Sequence, residues 1–444
     1  MRLPAAAPLV AAALIAAPAD ARTWTVGRAG ADFPLIAPAI AAAAPGDVVE
    51  VTGGVYREDL VIDKPLTLVG IDRPVLIGTG EGTVVTITAG GAEVRGFAIE
   101  GSGTGQTNQM DAGIHLLSDG NRVTGNLLRR VFYGIVVVDA RRNEIAGNEI
   151  HGLRDLPFGR RGDGIYLYRA PENVVARNRV SGERDAIYFQ YAPRGRAIDN
   201  VVSDSRYALH DMFSDDTLIA GNEFGNSAVG ANIMNSRRIR FEGNRILRNR
   251  GIPGVGVTLK ECDDSTVSGN TFLGNLRGLL LDGSSNNRFA GNLFAANDTA
   301  VTLFSSAEAN AFGGNRFDGN WSDVVLSGRD SRTQWSIDGR GNRWSRYRGF
   351  DFDGDGIGES PHPVTGAFER IEGANPAARL FLQSPAAAGL ELAERASGAP
   401  AGDALDLAPM VSRGAARWPA SATLAALALA AGAAAAAAGR RRTC

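Results

Sequence analysis

The stretch "DNVVSDSRYALHDMFSDDTLIAGNEFGNSAVGANIMNSRRIRFEGN", Asp199 to Asn244, carries one pattern twice. Asparagine stands at 200, 222 and 244, and a small residue, Ala208 and then Gly230, opens a short apolar run eight residues after each of the first two. Working outward, Asn126, Asn148, Asn178, Asn270, Asn292 and Asn315 continue the first marker, and Gly113, Gly134, Gly164, Ala186, Gly256, Gly278 and Ala300 continue the second. The asparagine spacing returns repeatedly to 22, with one step of 30 between Asn148 and Asn178 and one of 26 between Asn244 and Asn270. Two markers sharing one period, each tied to a short alternating strand, predict an all-β, right-handed parallel β-helix with one coil per repeat. The asparagines are expected to stack as a ladder at the turns. The extra eight residues before Asn178, around "GLRDLPFGRRG" (Gly152 to Gly162), are expected to loop out from one side.

The coil register turns the repeat into a map of faces. Alternate residues of a strand share a face. Counting from the small marker, positions +1 and +3 are apolar and face the core, while +2 and +4 face outward. The +2 column sets Tyr166, Tyr188 and His210 in successive coils, and the +4 column sets Tyr168, Gln190, Met212 and Met234. His210 and Met212 therefore lie on one outer face, with Met234 beside Met212 in the next coil, about 4.8 Å away. Histidine and methionine are scarce here, at four and five residues. Two thioethers and an imidazole form a soft donor set that suits Cu(I). Methionine covering a sheet under a loop would be the plainer account. Tyr166, Tyr168, Tyr188 and Gln190 are expected to continue the patch as a flat aromatic surface that meets a partner. His115 shares the +2 column four coils away, and Met110 and His151 fall in turns. Asp211 falls at +3, where other coils are apolar, so either the register slips or a carboxylate is buried and paired with Arg206 or a turn amide.

A solenoid must close its ends. "DFPLIAPAIAAAAPGD", Asp32 to Asp47, reads as a short amphipathic capping helix after Pro34, closed by Pro45-Gly46. Near the other end, "DFDGDGIGES" spaces Asp351, Asp353 and Asp355 two apart, with Gly356 for a sharp turn and Glu359 ninth. That matches the first half of a calcium loop, but its twelfth position is His362 rather than a closing Glu. The coils and this loop are assigned to 22–384.

The remaining segments bound the setting. Residues 1–21 have the charge, apolar run and small-x-small end of a secretory signal peptide. From 385 to 418 the chain is rich in Ala, Gly and Pro and reads as a linker. Residues 419–439 carry no charge and precede Arg440, Arg441 and Arg442. That is the length of a transmembrane helix with a positive cytoplasmic flank, a candidate membrane tether. Cys262 and Cys444 suggest no structural disulfide. A formal net charge of −2 over 444 residues gives no pull toward nucleic acid.

Four segments together resemble the periplasmic copper-processing NosD family, which serves nitrous oxide reductase maturation. They are "DFPLIAPAIAAAAPGDVVEV", "KPLTLVG", "RYALHDMFS" and "GNRWSRYRGFDFDGDGIGESPHPV". The resemblance spans Thr23 to Leu382. It implies a periplasmic accessory protein without catalytic activity of its own, working with an ABC transporter membrane subunit and a copper-donor lipoprotein. These would assemble the copper sites of nitrous oxide reductase. Asp211 stands where the family tends to have an aromatic, Glu359 and His362 stand where it has Asp and Tyr, and the Ala-rich tail is not expected in it.

Two other classes compete. A polysaccharide-acting β-helix enzyme (lyase, epimerase or hydrolase) needs carboxylates and a base clustered on one sheet. The outer columns offer only Asp282, three coils from His210. A purely structural scaffold would bind no metal and would not depend on His210 or Met212.

Overall fold

The computed structural model describes residues 21–105, 110–328, 332–397 and 404–411. Three long parallel sheets of 13, 12 and 13 strands are built from strands between Thr23 and Trp344, and each coil gives one strand to each sheet. The coil in which the opening stretch begins contributes Arg196–Ile198, Val201–Ser203 and Tyr207–Met212. This is the expected parallel solenoid. Its interior is mainly apolar, and aromatic rings stack from coil to coil. Phe272, Phe294, Phe317 and Trp344 follow one another at centroid spacings of 4.6, 5.1 and 4.2 Å.

The markers have physical causes. Each asparagine of the series is buried, and from Asn148 on its side-chain oxygen accepts from the preceding asparagine. Asn200 donates to Asn222 Oδ1 from both its backbone N–H and its Nδ2, each at 2.9 Å. Buried polar groups need such partners, and the ladder supplies them once per coil. The small marker is a steric requirement. A Cβ at Gly134 would lie 2.3 Å from the Gly164 carbonyl oxygen of the next coil.

The N-terminal cap is α1 (Ile36–Ala42), which buries Ile36, Ala39 and Ile40 against the first coils. Glu58 caps it from a distance, its carboxylate accepting from the Ile36 and Ala37 N–H groups at 2.9 Å. An acid at a helix N-terminus satisfies orphan donors and meets the positive dipole end. The eight-residue insertion leaves the coil as expected, but folds back over the outer face of the 12-stranded sheet, where Leu153 packs on an aromatic cluster. Arg161 ties it down through the carbonyls of Leu156, Arg154 and Gly182.

The segment expected to be a linker from 385 is structured over its first half. After α2 (Ala367–Ala374) and a 3-10 turn, α3 covers Pro385–Ser397. The chain then returns as Leu405–Asp406, antiparallel to His362–Pro363. The physical reason is the open end of the asparagine ladder. Asp406, fully buried, accepts from the N–H of Asn342, the last rung, at 2.7 Å and from Trp344 Nε1 at 2.9 Å. This is the C-terminal counterpart of the helix cap. Among the described residues no helix is long and apolar enough to cross a membrane. The tether expected at 419–439 and the signal segment 1–20 lie outside the described residues.

Candidate functional site

The strand Tyr207–Met212 lies between Asp185–Gln190 and Val229–Met234 in the 12-stranded sheet. The register sets Tyr188, His210 and Asn232 in one row and Gln190, Met212 and Met234 in the next. Met212 and Met234 are thus neighbours across coils, as are Tyr166 and Tyr188. The column reading brings His210, Met212 and Met234 onto one patch.

Exposure differs from the expectation. His210 is buried at 8% exposure, and Met212 and Met234 are only partly exposed. The His210 ring lies flat on Tyr188 at 4.2 Å, with Tyr207 edge-on at 5.1 Å. Tyr166 and Tyr188 are buried too, and form no open platform. Their rings stack on each other at 5.0 Å, with Tyr133 beyond Tyr166 at 6.2 Å. Met110 and Leu153 pack onto the cluster. Large side chains in adjacent coils satisfy one another before they meet solvent. Burial raises the Tyr166 and Tyr188 phenol pKa values. Tyr166 spends its hydroxyl on Gln190 Oε1 at 2.6 Å. Tyr168 and Gln190 stay partly exposed at the rim.

Around His210 lies a buried set of charges that the outward columns did not reveal. His210 Nδ1 is 3.1 Å from Asp185 Oδ2, and Arg206 binds the same carboxylate. One coil earlier, Arg184 grips Asp163 at 2.7 and 2.9 Å. Asp163 and Asp185 precede the small markers Gly164 and Ala186. The alternation breaks there: Ala186 and Ile187 both enter the core, and Asp185 meets His210 on the outer side. A strict alternation counted back from the marker puts Asp185 inside. The available signal was an acid at the same position in two successive coils, each with an arginine 21 residues on. Burial, and then the nearby Asp185 charge, raise Asp163 to about 7. Glu183, beside them, is raised well above its ordinary value by burial, then by Asp163.

Asp211 keeps the register, facing Phe189 and Ile233 in the neighbouring strands. It is a fully buried acid whose Oδ1 accepts from the Ser236 hydroxyl at 2.9 Å, not from Arg206. Burial raises it to about 7, against the lowering effect of its Ser236 and Thr217 hydrogen bonds. On the outer face, Asn232 Nδ2 donates to Met234 Sδ at 3.1 Å. His115 stands four strands from His210 as counted, and burial lowers its pKa. His151 lies on another sheet, between Glu149 and Ser181.

In the acidic loop, the ligand atoms of Asp351, Asp353 and Glu359 lie within 4.8 Å of one another, and Asp355 does not join them. These carboxylates already serve their own turn. Asp351 accepts from Gly354 and Gly356 N–H, Asp353 from Asp355, and Glu359 from Phe352. His362 closes no metal loop. It lies tilted against Trp344 with ring centroids 5.0 Å apart, and burial lowers it to about 4. A cleft of about 860 Å³ lies at this end, between Trp321, Tyr347, His362 and Phe368, and includes none of the copper candidates.

Residues 153–349 match the family model described as "Periplasmic copper-binding protein (NosD)". The chain is 30% identical over 360 residues to a "Probable ABC transporter binding protein NosD" of Pseudomonas aeruginosa, covering 77% of this chain and 83% of that one. A protein of the same description from Stutzerimonas stutzeri is 29% identical over 361 residues, with 77% and 81% covered. Among solved structures, the catalytic unit of a GH87 α-1,3-glucanase from Streptomyces thermodiastaticus superposes with a TM-score of 0.56 at 19% identity, over 69% of this chain and 64% of that one. The A-module of the Azotobacter vinelandii mannuronan C-5 epimerase AlgE6 gives 0.50 at 15%, over 70% and 94%. At such identities these likenesses show the fold alone.

Proposed function

The chain belongs to the NosD family, and from that premise we propose that it is a periplasmic accessory protein that receives and passes on Cu(I) for the copper sites of nitrous oxide reductase. In this reading an ABC transporter and a copper donor are its partners, and the 419–439 stretch tethers it to the inner membrane. The observation that carries the copper role is the row of donors on one face. Met212 pairs with Met234, and the adjacent His210 keeps a buried ring nitrogen, Nε2, with no partner. Thioether and imidazole donors fit Cu(I) as cargo. Partly exposed thioethers suit a protein that must give the metal up.

The test is Cu(I) titration against a competing chelator. Replacing Met212 and Met234 together by Leu keeps volume and apolar character, so each change should cost under about 1.5 kcal/mol. The double variant is expected to fold, to lose Cu(I) binding, and to yield nitrous oxide reductase short of copper. Full copper loading of the reductase in that background would make the methionines plain surface covering.

A second reading, a polysaccharide-acting enzyme, is favoured by one observation. Asp163, Asp185, Tyr188 and His210 gather on one sheet face. Turnover of a uronic-acid polymer by the purified chain would support it over the copper role.

A further inference from the structure

An imidazole carries its two nitrogens on different edges of the ring, and only the unprotonated one binds a metal. His210 Nδ1 faces Asp185 Oδ2 at 3.1 Å. A carboxylate held by a guanidinium can only accept, so this contact places the ring proton on Nδ1. Asp185 is 1% exposed and has little freedom to move. Arg206 fixes it through Nε at 3.0 Å and Nη2 at 2.8 Å to each oxygen. Arg206 is itself laid over the Tyr207 ring at 4.4 Å. The His210 ring is held flat between neighbours, stacked on Tyr188 and met edge-on by Tyr207. Nε2 is left with its lone pair, buried and unpartnered. That acceptor stands one row from the paired methionines and is available to a ligand.

The rest of the pairing agrees. Buried ion pairs rarely beat an apolar replacement on stability alone. Two half-buried pairs, Asp163 with Arg184 and Asp185 with Arg206, each a buried carboxylate held by a partly exposed guanidinium, occupy consecutive coils and end at the coil of His210. In the next coil the position of Tyr207 is taken by Val229 and that of His210 by Asn232. The buried charge stops where the histidine does.

We propose that Asp185, braced by Arg206, is the positioning residue that fixes His210 with its proton on Nδ1 and presents Nε2 to Cu(I) beside Met212 and Met234. This rests on the copper reading above. A ligand histidine whose far nitrogen is held by a carboxylate is aligned before the metal arrives, and loss of such a partner typically weakens metal binding about 10–100-fold.

The experiment has two readouts. The first is the long-range ¹H–¹⁵N spectrum of the metal-free protein with ¹⁵N-labelled histidine, which reports the tautomer of His210. The second is Cu(I) affinity under a competing chelator for the wild type and Asp185→Asn. The expected result is an Nδ1–H tautomer in the wild type. In Asp185→Asn a mixed tautomer and 10–100-fold weaker Cu(I) binding are expected. An Nε2–H tautomer in the wild type overturns the proposal, and needs no variant to fold. So does wild-type Cu(I) affinity in a folded Asp185→Asn protein that keeps its circular dichroism. A wild-type chain with the Nδ1–H tautomer and no Cu(I) binding overturns the copper reading, and with it the metal role of Asp185.

Discussion

Asp211 is a carboxylate placed where every neighbouring coil keeps an apolar side chain, and its behaviour with pH follows. In the unfolded chain it titrates near the ordinary aspartate value of 3.8; in the fold burial moves it to about 7. The folded state therefore binds the extra proton between those values. The stability associated with neutral Asp211 is fully present below about 3.8 and is lost as pH rises through about 7. At about 1.4 kcal/mol per pKa unit, the loss is on the order of 4 kcal/mol. Asp211→Asn is expected to raise the melting temperature at pH 8 and to change it little near pH 4. Equal effects at both pH values would show that the carboxylate is not held neutral. The sequence exposed this residue through the repeat, because one acid among apolar +3 positions stands out. Its partner was not legible, since Ser236 is 25 residues away and reaches it only through the stack. Asp163 and Asp185 escaped notice for a different reason. Two consecutive residues at the small marker, Ala186 and Ile187, enter the core, so counting back by alternation puts Asp185 on the wrong face.

At the scale of elements, the turns carry the chain's polar accounting. Asn222 accepts from two groups of Asn200 and donates through Nδ2 to the Ala197 and Ala220 carbonyls at 2.9 and 3.1 Å. Asn222→Ala leaves the buried Asn200 N–H without its partner, at about 1–3 kcal/mol for the stranded donor. Chemical denaturation should show a loss of at least that size; a cost under about 0.5 kcal/mol would mean that water replaces the amide. This ladder was readable because its asparagines follow the period of 22. A second runs through Asn249, Asn275, Asn297 and Asn320. It was not read, because serines such as Ser205 and Ser227 hold the same place in earlier coils and break the letter pattern without breaking the hydrogen bonds. The tyrosine row was placed correctly and its exposure was not. Columns give adjacency, whereas burial depends on what folds over them, here the insertion after His151.

For the whole molecule, the coil stack was legible end to end, and the C-terminal closure was not. Ala, Gly and Pro between 385 and 418 resemble a linker in composition, yet Asp406 inside that stretch occupies the place of the next rung. A stack of identical-pitch coils has no internal reason to stop. Its last strands, including Ser322–Ser327 and Arg343–Trp344, end the three-sheet array. The segment that covers them includes α2, from which the Gly373 carbonyl accepts the Ser327 hydroxyl at 3.5 Å. It also includes the return stretch, in which Ala408 and Met410 bond Gly341 and Asn342. An uncovered terminal coil would offer a row of free backbone donors and acceptors to another chain. Asp406→Ala is therefore expected to do more than lower the melting temperature. It should convert a discrete particle into one that polymerises end to end, with light scattering that grows with protein concentration while the coils themselves keep their circular dichroism. A variant that is merely less stable and stays monodisperse would limit the carboxylate to a local role. Should the polymer form, this single buried acid is a chain terminator in the sense of polymer chemistry, the group that sets the degree of polymerisation of the β-stack at one.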